Sequence, residues 1–188
     1  MTSTNRAYFE DMYRDSEDPW DFETSAYEQR KYVLTIDSLP QRRYRRAFEP
    51  GCSIGVLTAL LAQRCDQLVA SDMIPAALSA AKRRLNGASH VAFEELVIPH
   101  DWPAGRFDLV VLSEIAYYFD QEDLETVLRR IVNTTEAGAH VVGVHWRGET
   151  NYPLSGDRAH ELIDESAGLA RLVHHIEDDF VLGVWGRS

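Results

Sequence analysis

Long apolar runs are missing from this sequence. No stretch approaches the ~18–20 consecutive apolar residues that a bilayer-spanning helix needs. The opening segment MTSTNRAYFEDMYRD is polar and acidic, without an apolar core or a small-residue cleavage site, so we expect no secretory signal peptide. The hydrophobic fraction of 45% is that of a water-soluble globular domain. We therefore expect a cytoplasmic protein with no membrane span.

Cysteine is also scarce. Cys52 and Cys65 match no CxxC spacing, and the histidines are scattered apart from the pair His174-His175. A structural zinc site needs more thiolates or a closer histidine pair, so we expect no metal site. Because a cytosolic chain usually keeps its thiols reduced, we expect no disulfide, with Cys65 packed in the core.

Positive charge is in the minority. Lys and Arg number 19 against 30 Asp and Glu, which gives a formal net charge of −11. Nucleic-acid phosphates are bound by clustered Lys and Arg, so we expect no nucleic-acid partner. The basic run Arg42-Arg43-Tyr44-Arg45-Arg46 is typical of a solvated turn before a strand, and the alternative is an anchor for an anionic substrate or partner.

What the sequence does contain, from Arg46 onward, is an alternation of β-rich runs with helical patterns of about ten residues, which is typical of βαβ units and a parallel sheet. The predicted strands are Arg46–Glu49, Gln67–Ser71, Val91–Phe93, Phe107–Leu112, Ala139–Trp146, Leu172–Ile176 and Phe180–Trp185. The predicted helices between them are Val56–Cys65, Ala76–Leu85 and Leu124–Val132. The last two strands flank Glu177-Asp178-Asp179 as an antiparallel hairpin. The predicted fold is thus α/β: a Rossmann-like, doubly wound, mostly parallel seven-stranded sheet with an antiparallel C-terminal edge strand.

The segment before Arg46 is rich in Tyr, Trp and acidic residues. Its helical patterns, Arg6–Arg14 and Ala26–Leu39, are separated by the breaker Glu17-Asp18-Pro19-Trp20. We expect residues 1–45 to form a helical cap, or lid, over the ligand edge of a core formed by residues 46–188. A length of 188 residues fits one such domain.

The most informative motif is Phe48-Glu49-Pro50-Gly51-Cys52-Ser53-Ile54-Gly55, which joins the first strand to the first core helix. Ligands of doubly wound sheets lie at the carboxyl ends of the strands, and Gly51 and Gly55 permit a tight turn close to a ligand. Asp72 follows the next strand at about the 20-residue offset at which an acid meets ribose hydroxyls. The alternative is an ordinary loop with Asp72 as a helix cap.

The glycine pattern also indicates which ligand is bound. A dinucleotide fingerprint needs a third glycine, whereas here an acid, Glu49, precedes Gly51-x-x-x-Gly55. In this respect the sequence resembles the class I S-adenosylmethionine-dependent methyltransferases. A carboxylate at this position suits a cofactor that carries an ammonium group and no phosphate.

The resemblance covers nearly the whole chain. It includes a fourth motif, Phe107–Glu114, and a last strand at Phe180–Trp185. More narrowly, Asp18-Pro19-Trp20, Tyr27–Tyr32 and Tyr117-Tyr118 resemble the NodS-type branch. Enzymes of that branch N-methylate the deacetylated amino sugar of a chitooligosaccharide in nodulation-signal synthesis, so the resemblance implies an amino-sugar acceptor and S-adenosylmethionine as cofactor.

The resemblance also implies roles for individual residues. Arg30 or Lys31 pairs with the cofactor carboxylate, Asp72 binds the ribose, and Glu95 or Leu96 flanks the adenine, although no Asp follows the third strand directly. The remaining implied cofactor residues are Glu49, Gly51, Cys52, Ser53, Gly55, Met73 and Ser113. The residues expected to face or close over the acceptor are Tyr8, Tyr13, Trp20, Tyr27, Tyr117 and Tyr118. Since Tyr117 and Tyr118 are adjacent, we expect only one of them to reach the ligand.

Three residues are candidates for taking a proton from an amine acceptor: Glu114, His145 and His160. His145 ends the fifth predicted strand, at the carboxyl edge where ligands gather, or is simply a solvated strand end. His160 follows Asp157, a candidate helix cap that explains this segment without any catalytic role.

Other functions share the same fold. A nicotinamide-dependent oxidoreductase is disfavoured by the missing third glycine. A non-catalytic module would bind S-adenosylmethionine without transferring its methyl group, and a methyltransferase of another pathway would act on the oxygen or nitrogen of another small molecule. The sequence names neither the acceptor nor the oligomeric state.

Overall fold

The computed structural model describes residues 2–188, which form seven strands and six α-helices. The strands are β1 (Tyr44–Pro50), β2 (Cys65–Asp72), β3 (Val91–Glu95), β4 (Phe107–Ser113), β5 (Thr135–Trp146), β6 (Leu169–Ile176) and β7 (Phe180–Arg187). The helices are α1 (Arg6–Asp15), α2 (Ala26–Asp37), α3 (Val56–Ala62), α4 (Pro75–Arg84), α5 (Gln121–Thr134) and α6 (Gly156–Glu165). A short 3₁₀ helix, Ala116–Tyr118, follows β4.

The strands form one sheet in the order β3-β2-β1-β4-β5-β7-β6. The first five run parallel, while β7 pairs antiparallel with both β5 and β6. This topology confirms the predicted fold class. Because the chain winds outward in opposite directions from β1 and β4, their carboxyl ends flank the crevice in which such sheets bind ligands.

The two faces of the sheet carry separate apolar cores, because successive side chains of a strand point to opposite faces. In β1, Phe48 packs on the face covered by α5 and α6, whereas Ala47 packs on the face covered by α2 and α3. In β4, Val110 and Leu109 divide in the same way. Burial on both sides explains the unbroken apolar run Leu109–Leu112 in the central strand β4.

Among the helix boundaries that differ from the sequence prediction, those of α3 and α6 have a clear physical reason. Helix α3 ends at Ala62 because Cys65 already begins β2, where its free thiol is fully buried. Helix α6 is capped by the Ser155 side chain, which accepts a hydrogen bond from the amide of Arg158. Asp157, the predicted cap, lies in the first turn and pairs with Arg147 at 2.9 Å instead.

The N-terminal segment lies over the carboxyl ends of the strands. The Thr4 amide donates to the Tyr118 carbonyl at 2.8 Å, and the Tyr13 and Ser53 hydroxyls are 2.5 Å apart. Helix α1 rests on this edge without fully burying any residue, whereas α2 buries the polar side chains Glu28, Lys31 and Thr35. That this segment moves as a lid stays a prediction.

None of the helices in residues 2–188 combines the length and the apolar character that a membrane span requires.

Candidate active site

A cavity of about 550 Å³ opens at the carboxyl ends of β1, β2 and β4, beneath α1 and α2. Its wall is mostly apolar and aromatic, with a few converging polar side chains, which is the usual composition of a small-molecule site. The ionisable side chains at its wall include Arg6, Glu28, Lys31, Glu49, Asp72 and Glu114. Its carboxylates come from different elements: Glu28 from α2, Glu49 from β1, Asp72 from β2 and Glu114 from the residue after β4.

The turn after β1 depends on left-handed backbone conformations, with φ of +72° at Gly51 and +79° at Gly55. A Cβ at Gly51 would lie 2.9 Å from the Cδ1 atom of Ile115, at the cavity wall. A Cβ at Gly55 would instead lie 2.9 Å from the Cβ of Ala81, in α4. Gly55 therefore permits close helix packing and does not line the cavity, contrary to the ligand-facing role predicted for it.

Asp72, at the end of β2, holds this turn in place. One carboxylate oxygen accepts the Ser53 amide and the other accepts the Ile74 amide, each at 2.9 Å. Burial raises the pKa of Asp72, although these amide donors offset part of the effect. Each carboxylate oxygen can accept more than one hydrogen bond, so Asp72 can shape the turn and still accept hydrogen bonds from a ligand in the cavity.

We expect Asp72→Ala to weaken S-adenosylhomocysteine binding at least about tenfold, because charge-assisted hydrogen bonds contribute about 1.5–3 kcal/mol each. Isothermal titration calorimetry measures the affinity. The matched control is Asp66→Ala, which removes a half-exposed acid of the same strand that pairs with Arg43. A loss below twofold in Asp72→Ala would leave Asp72 as a capping residue only.

Glu49 contributes a buried carboxylate at the end of β1. Within the described chain its Oε2 atom has no hydrogen-bond partner, and neither has the nearby Thr58 hydroxyl. Burial raises the pKa of Glu49 to about 8, and the Asp72 carboxylate adds to the rise. A buried carboxylate oxygen without a hydrogen-bond donor lowers stability. The part of the cavity near Glu49 therefore suits a ligand that brings an ammonium group.

A second group of carboxylates surrounds Lys31. Its ammonium donates to Glu114 Oε1 at 2.5 Å and to Glu28 Oε1 at 2.8 Å, and it lies 4.7 Å from the centre of the Tyr27 ring. Burial lowers the pKa of Lys31, but the two carboxylates outweigh burial and the pKa is raised. The other oxygen of Glu114 accepts the Tyr117 hydroxyl at 2.5 Å and the Trp146 amide at 3.0 Å. Glu114 is therefore held rigidly.

The two histidine candidates lie behind the cavity wall rather than in it. His145 Nε2 accepts the Ala116 amide at 3.0 Å, so its Nδ1 carries the proton and donates to His160 Nε2, also at 3.0 Å. Burial lowers the pKa of His145 to about 3 and that of His160 to about 2. His145 uses both ring nitrogens in structural hydrogen bonds, whereas His160 uses Nε2 and its buried Nδ1 has no partner within residues 2–188. Both rings are neutral and neither lines the cavity, so the geometry does not support either as the proton acceptor.

The structure brings most of the other predicted residues to the cavity. Those at its wall are Glu49, Gly51, Cys52, Ser53, Asp72, Met73, Leu96, Ser113, Glu114, Tyr13, Trp20, Tyr27, Tyr117 and Tyr118. Both Tyr117 and Tyr118 line the cavity, and the expectation that only one of them reaches the ligand stays a prediction. They occupy a 3₁₀ helix, where neighbouring side chains diverge by about a third of a turn, and both contact the cavity.

Three further predicted residues lie outside the cavity wall. Arg30 points outward and pairs with Glu177 at 2.6 Å. Glu95 is held by Arg6 at 2.6 Å, and the Tyr8 hydroxyl lies 3.3 Å from that of Tyr152. The structure therefore does not support direct ligand contacts for Arg30, Glu95 or Tyr8.

Several cavity residues escaped the sequence prediction. They include Arg6, Phe9, Glu28, Tyr32, Trp146 and Tyr152. The spacing of Glu28 and Lys31 placed them on one helix face, which was an available signal. No local sequence pattern marks Trp146 as a cavity residue. Only the fold brings its amide, at the end of β5, to the Glu114 carboxylate.

The chain is similar in sequence to known nodulation proteins. Residues 5–147 match the family model of Nodulation protein S (NodS). Nodulation protein S of Sinorhizobium fredii is 28% identical over 144 residues, which cover 76% of this chain and 67% of that one. The matched parts of three such curated relatives amount to 54–67% of their lengths.

Two solved structures resemble the chain over most of its length. A protein from Pseudomonas syringae assigned to the methyltransferases is 40% identical, with a TM-score of 0.76, and the match covers 87% of this chain and 100% of that one. The N-methyltransferase NodS from Bradyrhizobium japonicum WM9, solved in complex with S-adenosyl-L-homocysteine, is 23% identical with a TM-score of 0.85. That match covers 95% of this chain and 97% of that one.

A sheet of this order with a ligand-sized cavity over its switch point belongs to the Rossmann-like class of S-adenosylmethionine-dependent methyltransferases. Within that class, the chain belongs to the Nodulation protein S family, whose model matches well over half of its residues. The predicted resemblance is confirmed, and the oxidoreductase alternative is set aside.

Proposed function

We propose that this protein transfers a methyl group from S-adenosylmethionine to the amine of an amino sugar of the deacetylated chitooligosaccharide kind. The observation that carries the proposal is one cavity with carboxylates at two places, Glu49 after β1 and Glu114 after β4. Membership of the Nodulation protein S family supports the choice of acceptor.

The residues around the glycine turn suit the cofactor. Glu49 would hold its ammonium group, Asp72 its ribose hydroxyls, and Met73 and Leu96 its adenine, while Gly51 leaves room for the backbone to approach it. The unpartnered oxygen of Glu49 carries this assignment. When bound, S-adenosylmethionine supplies a methyl group on a positively charged sulfur that is a good leaving group.

Near Glu114, the chain has to align the methyl acceptor with the methyl group and exclude water. An amine attacks only in its neutral form, and a carboxylate within reach takes up the proton that the ammonium form must lose. Glu114 is the predicted candidate at the cavity wall, since His145 and His160 lie behind it. Tyr13 and Trp20, which pack edge to face at 5.6 Å, cover the cavity from α1 and the following loop.

A sugar acceptor also needs an apolar surface for the C–H faces of its rings. Trp146 retains 38% of its exposure at the end of β5, and its amide bonds to Glu114. Trp20 is less available because it stacks on Phe22 at 5.4 Å. We therefore expect Trp146, rather than the predicted Trp20, to contact a sugar ring.

Methyl transfer from labelled S-adenosylmethionine to a panel of acceptors tests the proposal. The panel contains deacetylated chitooligosaccharides, their N-acetylated forms of equal length, free amino sugars, small phenols and nucleic acid. We expect label in the free-amine sugars only, at a rate that rises with pH as the amine loses its proton. Label confined to phenols or nucleic acid would overturn the amine acceptor, and no transfer to any acceptor would favour a non-catalytic binding module.

A further inference from the structure

Two residues that line the same cavity, Glu49 and Glu28, each have a buried carboxylate oxygen, Oε2, without a hydrogen-bond partner within residues 2–188. The cofactor assignment uses Glu49 and leaves Glu28 unexplained. Glu28 lies in α2, is 8% exposed, and engages Lys31 through its Oε1 atom. The Tyr32 hydroxyl lies near enough to lower the pKa of Glu28 in part, but Oε2 still lacks a hydrogen-bond partner in residues 2–188. Burial raises the pKa of Glu28 more than the Lys31 cation lowers it, as expected for a carboxylate that is only partly compensated.

The charges around Glu28 do not balance. Lys31 is the single cation of this cluster, and it is shared between Glu28 and Glu114. Two carboxylates against one ammonium leave one negative charge at the cavity wall. Lys31 is 1% exposed and is already engaged by both carboxylates and the Tyr27 ring, so it is poorly placed to attract the carboxylate of a ligand.

We propose that Glu28, together with Glu114, forms a subsite that binds the primary amine of the acceptor through its N–H donors. The proposal rests on the proposed function and deepens it, because it assigns recognition of the acceptor to the surplus negative charge of this cluster. An amine brings both the donors that Glu28 Oε2 lacks and, when protonated, the positive charge that the cluster lacks. Hydrogen bonds that involve a charged group are about twice as strong as neutral ones.

Such a subsite discriminates between amine and amide. An N-acetylated sugar has a neutral nitrogen with a single N–H. Its carbonyl oxygen would also bring a further hydrogen-bond acceptor next to the two carboxylates. Two hydrogen-bond acceptors placed against each other both remain without a donor. This costs more free energy than the mere absence of an attraction. The subsite should therefore favour the deacetylated sugar at the binding step, before any chemistry.

Calorimetric titration of S-adenosylhomocysteine and of a chitobiose-sized diamine separates this subsite from the cofactor site. We compare the wild-type chain with Glu28→Gln, Glu49→Gln and the control Glu23→Gln, an acid 59% exposed that pairs with Arg84. In Glu28→Gln, the diamine affinity should fall at least about tenfold while S-adenosylhomocysteine affinity stays within about twofold. Glu49→Gln should do the reverse, and Glu23→Gln should change neither. Unchanged diamine affinity in Glu28→Gln, or lost S-adenosylhomocysteine affinity there, would overturn the subsite.

The wild-type chain gives a second measurement that needs no variant. Its affinity for the free diamine should exceed that for the N-acetylated form at least about tenfold, and equal affinities would overturn the subsite even if Glu28→Gln fails to fold. The proposed function fails separately, if the wild-type chain binds no S-adenosylhomocysteine or transfers no methyl group. Titrating the diamine with and without bound S-adenosylhomocysteine distinguishes failure of the amine subsite from failure of the proposed function.

Discussion

Gly51→Val abolishes S-adenosylhomocysteine binding while the chain still folds; this is the expected result of filling the turn after β1. The residue has a φ of +72°, which a β-branched side chain adopts at a cost of about 1–3 kcal/mol. The new methyl groups would enter the cavity beside Ile115, whose Cδ1 atom is a movable side-chain end. Calorimetry measures the affinity, and a thermal melt shows that the fold survives.

The matched control is Gly55→Val, four residues along the same turn. Its φ of +79° carries a similar backbone strain, but its Cβ would lie 2.9–3.0 Å from the Cβ and Cα atoms of Ala81 in α4. Since a backbone atom cannot yield as a side-chain end can, we expect this variant to lower the melting temperature more than Gly51→Val. If Gly51→Val retained wild-type affinity, the cofactor would not bind at this turn.

The second large expected effect is a loss of folding stability when the buried Lys31 cation is removed. Lys31→Met should lower the free energy of unfolding by about 3–5 kcal/mol, because it leaves the buried Glu28 and the largely buried Glu114 without their cation. The control is Arg30→Met, the neighbouring cation on the same helix, whose pair with Glu177 lies at the surface and should contribute little. Urea unfolding of both variants measures the difference. Equal stability of the two variants would contradict the buried-charge interpretation.

The stability loss in Lys31→Met should also depend on pH. Burial already raises the pKa of Glu28 in the folded chain, and losing the Lys31 cation, which lowers that pKa in part, raises it further. Stability is then retained at low pH and lost as pH rises. The gap between Lys31→Met and the wild type should therefore be smaller near pH 5 than near pH 8. A gap of constant size would indicate lost packing rather than uncompensated charge.

Arg30 and Lys31 also show where local sequence patterns stop being informative. The resemblance placed one of them at the cofactor, yet they are about 100° apart around the helix, and only the packing of α2 decides which one turns inward. His145 was predicted from its place at the end of a strand. The structure directs its ring to Ala116 and His160 instead. In both cases the deciding contact comes from a residue distant in the chain.

The sequence by itself determined the seven strands, their parallel arrangement with an antiparallel end, and the glycine turn with its two acids, Glu49 and Asp72. These features follow from periodicity and short-range spacing, which depend on neighbours within about 20 residues. Only the tertiary structure decided that Gly55 packs against α4 and that Glu28 joins Lys31 and Glu114. Burial and charge pairing are properties of side chains brought together across long sequence separations, and no local pattern encodes which of them meet.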